Sequence, residues 1–250
     1  CTFADMLRVP ATQGDLLLAR AQGGDVRIVG SPLDALALAA SQPTRQVVFL
    51  AVGFETTAPI TALAVQRAAQ AGVANFSLLL SHVRVPPALD ALCRAPGCRV
   101  QGFLAAGHVC TIMGVDEYAS ICQQHRVPVV VTGFEPVDLL TGILACVRQL
   151  ERGQAQVENC YSRAAAATGN PTARALMEQI FEPCDQVWRG LGSLPASGLR
   201  LRPAYRHFDA ALRFPPASPS PLCGSATDGP PCPSGLVLQG RLRPPDCPHF

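Results

Sequence analysis

The sequence predicts an α/β fold, a parallel sheet with helices on both faces, and three observations carry that reading. Four short apolar runs lack alternation, as strands buried on both faces do: residues 47–52, 76–80, 102–106 and 127–132. Helix-length segments separate them, and strand–helix alternation of this kind gives parallel strands joined by right-handed crossovers. Each run also stops at a short turn bearing a polar side chain: Gly53-Phe54-Glu55-Thr56-Thr57, Ser81-His82, Gly107-His108 and Gly133-Phe134-Glu135-Pro136. Ligands of open α/β sheets bind beyond the carboxyl ends of the strands. The four strands are therefore expected in one parallel sheet, with Glu55, His108 and Glu135 around a common cleft and His82 at the same sheet edge.

Taken in order, residues 1–42 hold a short strand around Thr2-Phe3, the stretch Asp5–Pro10, a helix over roughly 14–22 and a strand at Val26–Val29. A helix then opens at Ser31-Pro32, with Ser31 suited to the N-cap and Pro32 to the first helical position. Residues 43–152 hold the four strands and helices near 57–71, 86–94, 115–125 and 136–151. Asp116 and Glu117 lie in the first turn of the third of these, where the helix dipole favours acids. Residues 153–250 change character. A helix is expected from near Gln156, holding Asn159, Tyr161 and Arg163, and another from about Pro171 to Phe181. Trp188–Gly192 and Ser197–Leu199 are rich in turn residues, and 215–235, rich in Pro, Ser and Gly, reads as a loop or linker. The Gly-Phe-Glu triplets at 53 and 133 are local turn convergence, since a solenoid needs several periods.

Composition narrows the function classes. The chain has 250 residues, 48% hydrophobic and 15% charged, with net charge +2. The basic residues are scattered, so no nucleic-acid footprint forms. No apolar stretch reaches membrane-spanning length, and no secretory signal is visible. Eleven cysteines is a high and odd number. It fits cytoplasmic thiols, a few of them in metal or redox use, better than a secreted disulfide framework. No glycine-rich nucleotide loop is present.

Each candidate has a plainer alternative. Glu55 and Glu135 either work in a cleft or cap the helix that follows, and Thr56 and Thr57 are potential N-caps. His108 can bind iron or relay a proton, or it can order its turn. Cys110 reads as a small buried hydrophobe. Cys93 and Cys98, five apart, are a weak metal signal. Asp5 and Arg8 can pair at a strand end, and Trp188 can pack on the sheet or present an interaction face.

Several segments together resemble the HypD family of hydrogenase formation proteins. They are Asp5–Pro10, Asp25–Val29, Ser31–Leu36, Gly53–Thr57, Gly107-His108-Val109, Gly133–Leu140, Asn159 with Tyr161 and Arg163, Trp188–Gly192, Ser197–Leu199 and Cys247–Phe250. They occur in one order along the whole chain. The resemblance implies a maturation factor for nickel–iron hydrogenases. Such a protein is a scaffold and redox protein on which an iron centre carrying cyanide and carbon monoxide is assembled, with a small HypC-like partner and a HypE-like cyanide donor. It implies two α/β domains flanking a cleft and a smaller [4Fe–4S] cluster domain. On that frame, 1–42 is the C-terminal part of a first α/β domain, 43–152 a second with four parallel strands, and 153–250 a helical and irregular region with part of the cluster domain. Cys232 and Cys247 are the implied cluster ligands, Cys232 only with a two-residue insertion at Pro233-Ser234. The family's Cys-Gly-Gly-His-Thr-His and Cys-x-x-Cys segments do not occur here, and two further cluster cysteines would lie past Phe250. The expectation is thus a fragment of a HypD-like protein, inactive alone. Two other functions compete: a small-molecule α/β enzyme using Glu55, His108 and Glu135 as acid–base groups, and a fragment without chemistry.

Overall fold

Two parallel sheets, rather than one, carry the predicted strands in the computed structural model, which describes residues 1–11, 14–215 and 233–248. Strand β1 (Val47–Gly53) pairs in parallel with β2 (Phe76–His82), Val47 opposite Phe76 and Gly53 opposite His82. A second sheet has the order β3 (Phe103–Ala106), β4 (Val129–Thr132), β5 (Val157–Asn159), all parallel. The expectation of one four-stranded sheet fails because the edges of β1 and β2 are taken by other segments. Leu78 of β2 bridges Asp209 and the following Val83 bridges Gly198. On the far side, Leu50 donates its N–H to Cys1 O, and the Cys1 amino group donates to Val48 O.

The helices follow their sequence signals. Asp15 caps α1 (Leu16–Ala21), accepting from Leu18 N–H. Ser31 and Asp34 form a capping box for α2 (Pro32–Ser41), two orphan donors satisfied reciprocally. Then come α3 (Ala58–Gln70), α4 (Val85–Arg94), α5 (Gly107–Met113) and α6 (Asp116–His125). Asp116 and Glu117 occupy the first turn of α6, and Arg126 ends it with φ 54°. Helix α7 (Pro136–Glu151) packs on β4 through Asp138, Gly142, Ala145 and Gln149. Asn170 caps α8 (Pro171–Ile180), accepting from Ala173 N–H. Short helices α9 (Ala210–Arg213) and α10 (Ser234–Leu238) follow. Among the described residues no helix is long and apolar enough to cross a membrane.

Three local expectations are corrected. The helix expected near Gln156 is instead β5: Val129 donates to Gln156 O, and Val157 to Asn159 extend the sheet beside β4. The turn-rich stretch around 188–199 is a hairpin of β6 (Phe181–Trp188) and β7 (Gly192–Leu201), turned by Gly190 and Gly192 at positive φ, a conformation open to glycine. The strands expected at Thr2-Phe3 and Val26–Val29 shrink to a single bridge, Thr2 to Ile28.

Two cores result. One joins Phe49, Phe76 and Leu78 to Met177, Ile180, Phe181 and Phe208 from the C-terminal third. The other, around Ala105, Cys110, Tyr118, Val129, Val131 and Ala165, is built from one continuous stretch. The β1–β2 sheet thus shares its core with segments on both sides of the second sheet in sequence.

Candidate functional site

The ends of β3, β4 and β5 make one surface. Gly107 and Gly133 follow β3 and β4, and the ring of Tyr161 lies against both. A Cβ on Gly107 would stand 2.6 Å from Thr132 O as well as on the Tyr161 ring, and one on Gly133 would stand 2.6 Å from Tyr161 Cε2. Only glycine fits this approach, whose cost is steric rather than conformational. Asn159 sets the tyrosine: its Oδ1 accepts from Tyr161 N–H at 2.9 Å, and its Nδ2 donates to Ala165 O at 2.8 Å.

Arg163 then stacks over the Tyr161 ring at 4.6 Å. Its guanidinium donates to both oxygens of Asp138, at 2.6 and 2.5 Å, in the bidentate arrangement that fixes both partners. The same group lies 3.5 Å from Glu135 Oε2. Arg163 holds the Asp138 carboxyl below its usual range, so both remain charged near neutral pH. His108 is exposed and packs its ring 5.0 Å from that of Phe134, itself exposed. An imidazole, a carboxylate and a guanidinium thus share one open surface, with proton acceptors and N–H donors side by side. Glu135 is the N-cap of α7, yet its side chain caps nothing.

Glu55 lies elsewhere. It is 1% exposed, its Oε1 accepts from Val85 N–H at 2.8 Å, and its Oε2 has no partner among the described residues. The carboxylate therefore caps α4 rather than the helix that follows it. Burial pushes its pKa up, against the hydrogen bonds and the nearby Arg84. Glu55 borders a cavity of about 150 Å³ lined also by Arg84, Glu117, Met113, Met177 and Phe181. Arg84 pairs with Glu117 at 2.8 Å. The single cleft expected from the sequence is thus two places. His108 and Glu135 share one, and Glu55 belongs to the other.

His82 is buried beneath the Gly53–Thr57 turn. The Thr57 hydroxyl lies 3.2 Å from Phe54 O and 3.0 Å from His82 Nε2. Nδ1 has no partner among the described residues, and burial lowers the pKa to about 4. This neutral imidazole fixes the turn. Thr57 makes no side-chain cap. Trp188 donates Nε1–H to Ser197 Oγ at 2.9 Å and packs 6.4 Å from Phe54.

Cys110 is fully buried, and burial pushes its thiol up to about 11. Cys93 is pushed up to about 11 by burial and by neighbouring Cys98. Neither is poised as a thiolate. Cys247 is half-buried after the 3₁₀ turn Pro244–Asp246, and Cys232 lies outside the described residues. Among the described residues no three His, Cys, Asp or Glu side chains come together to hold a metal ion. The sequence reading assigned no role to Asp138, Tyr161 or Arg163. Asp138 sits one helical turn after Glu135, but nothing in spacing links it to Arg163.

The comparisons with known proteins agree with one another. A family model, HypD, described as the hydrogenase formation hypA family, matches residues 1–250. The chain is similar to the hydrogenase maturation factor HypD of Azotobacter vinelandii, 46% identical over 257 residues, covering 100% of this chain and 66% of that protein. It is similar to those of Rhizobium leguminosarum bv. viciae, 43% identical over 258 residues, and of Escherichia coli K12, 44% over 253, again covering 100% of this chain and 66% of each relative.

Proposed function

The chain belongs to the HypD hydrogenase formation family, and on that premise we propose that it acts in the maturation of nickel–iron hydrogenases. It serves in the cytoplasm as a scaffold and redox protein on which an iron centre with cyanide and carbon monoxide ligands is assembled, working with a HypC-like protein and a HypE-like cyanide donor. The observation that carries this is the family match over all 250 residues. The placement of the matching segments supports it: Gly107-His108, Gly133–Asp138 and Asn159–Arg163 meet at one surface.

The iron complex is the substrate here. Arg163, held by Asp138 and Tyr161, keeps N–H groups free to bond an anionic ligand, and His108 and Glu135 accept or pass on protons beside it. A [4Fe–4S] cluster takes four cysteine thiolates. The described residues do not fit one, since no three metal-ligating side chains come together among them. Its proposed ligands are Cys247 and Cys232, the latter outside the described residues. One observation favours a second reading, a small-molecule α/β enzyme: the buried Glu55 borders a cavity with one oxygen unpartnered.

A chimera tests the proposal. These 250 residues replace the matching two thirds of the E. coli factor, and hydrogenase activity is measured in cells lacking their own factor. The expected outcome is restored activity, lost by roughly a hundredfold or more in His108→Ala and Glu135→Ala, the scale of one acid–base group. A chimera that accumulates folded yet restores nothing sinks the reading.

A further inference from the structure

Arg163 has a second hydrogen-bonding edge that no described residue fills. The N–H groups of a guanidinium lie in one plane and form fixed forks. Asp138 takes one hydrogen from each Nη, at 2.6 and 2.5 Å. Nε–H and the outer hydrogen of Nη2 make a neighbouring fork, and among the described residues Arg163 makes no further hydrogen bond. Glu135 stands 3.5 Å from Nη2, but its side chain is 79% exposed and does not bond to that edge. The fork is nevertheless held still. The Asp138 side chain is only 9% exposed and anchors the plane from behind. The Tyr161 ring covers one face of it at 4.6 Å, and Asn159, Gly107 and Gly133 fix that ring. A donor edge immobilised from two sides and turned outward is preorganised for an acceptor.

We infer that this open fork holds the cyanide ligands of the iron complex and so sorts them from carbon monoxide. The inference rests on the maturation reading and names what its site recognises. Net charge does not make the choice, because Asp138 already balances Arg163. What remains is directed hydrogen bonding. The nitrogen of an iron-bound cyanide carries negative charge and a lone pair that points away from the metal, so it accepts strongly. The oxygen of iron-bound carbon monoxide accepts poorly. A fixed fork therefore bonds the first and gains little from the second, since hydrogen bonds to charged acceptors are the stronger kind. The Tyr161 ring blocks one face of the guanidinium, which leaves approach in its plane, the direction in which a linear ligand is met end-on. Asp138 is a positioning residue here: it aims the fork without touching the ligand.

Infrared spectroscopy on the chimera with the E. coli factor, purified anaerobically from cells that make the iron complex, is the test. Donation to the cyanide nitrogen raises the carbon–nitrogen stretching frequency. Arg163→Met should therefore move the cyanide bands to lower wavenumber and the carbonyl band by less. Arg163→Lys, a point donor without the fork, should move them part of the way. Asp138→Asn should broaden them, because the fork loses its aim. Cyanide bands that stay in place in Arg163→Met overturn the inference and leave the maturation reading standing. A wild-type chimera without cyanide bands overturns it too, and hydrogenase activity in the same cells then shows whether the maturation reading falls with it. If Arg163→Met holds no complex, Arg163→Lys decides: partly shifted bands support the inference, and unshifted or absent bands overturn it.

Discussion

His82 and Glu55 flank the end of β1, and burial shifts both toward their neutral forms. For His82 the consequence is an acid sensitivity with a definite window. The unfolded imidazole takes up its proton near 6.5, while the folded one resists until about 4. The unfolded state binds more protons between those values, so stability falls as pH drops from 6.5 and levels off below 4. The shift corresponds to about 3 kcal/mol. His82→Gln, which keeps a hydrogen-bond partner for Thr57, should lose less stability than the wild type between pH 7 and pH 4.5 in urea unfolding. Parallel losses in the two proteins would show that His82 is not responsible. For Glu55 the sign is opposite, since its raised pKa makes it a cost that grows as pH rises above 4.5. The sequence marked Glu55, His108 and Glu135 correctly as residues at strand ends. It left Tyr161 and Arg163 without a role, because a ring wedged on two glycines is a contact between segments far apart in the chain.

At the scale of elements, strand identity was legible and strand pairing was not. The runs at 47–52, 76–80, 102–106 and 127–132 all became parallel strands, because uninterrupted aliphatic runs have few other ways to bury both faces. Which strand sits beside which depends on edges, and Cys1, Gly198 and Asp209 occupy the edges of the first sheet. The segment at 157–159 illustrates the same limit. Three residues are too few to show a period, and pairing with β4 decides their state. Helix α7 was legible in position, and its contact with β4 rests on Gly142, where a Cβ would stand 2.9 Å from Thr132 Cβ. Gly142→Val should therefore cost about 1–3 kcal/mol by overpacking, read from the denaturation midpoint. An unchanged midpoint would mean that the helix can shift off the sheet without loss.

Over the whole molecule, the described cysteines divide into two buried thiols, Cys110 and Cys122, and seven partly exposed ones, Cys247 among them. Cys110 sits fully buried inside the second core, whereas Cys247 lies in the C-terminal segment, which is tied back by Arg99 N–H to Gln239 O at 2.8 Å. Anaerobic reconstitution of the 250-residue chain should give well under one four-iron cluster per chain, because such clusters need four thiolates and the described residues assemble no three ligands. Stoichiometric iron and sulfide, with a four-iron spectrum lost in Cys247→Ala, would refute that. The two cores carry one more consequence, which concerns the order in which the ribosome delivers them. The second is drawn from a continuous stretch, so it can close as soon as it emerges. The first cannot, because Phe49, Phe76 and Leu78 wait for Met177, Ile180 and Phe208. At ordinary rates of synthesis that wait lasts on the order of ten seconds. During it the two-stranded sheet is covered by α2 and α3 alone, and the face that awaits Met177, Ile180 and Phe208 is an aggregation-prone surface that needs shelter until the last third arrives.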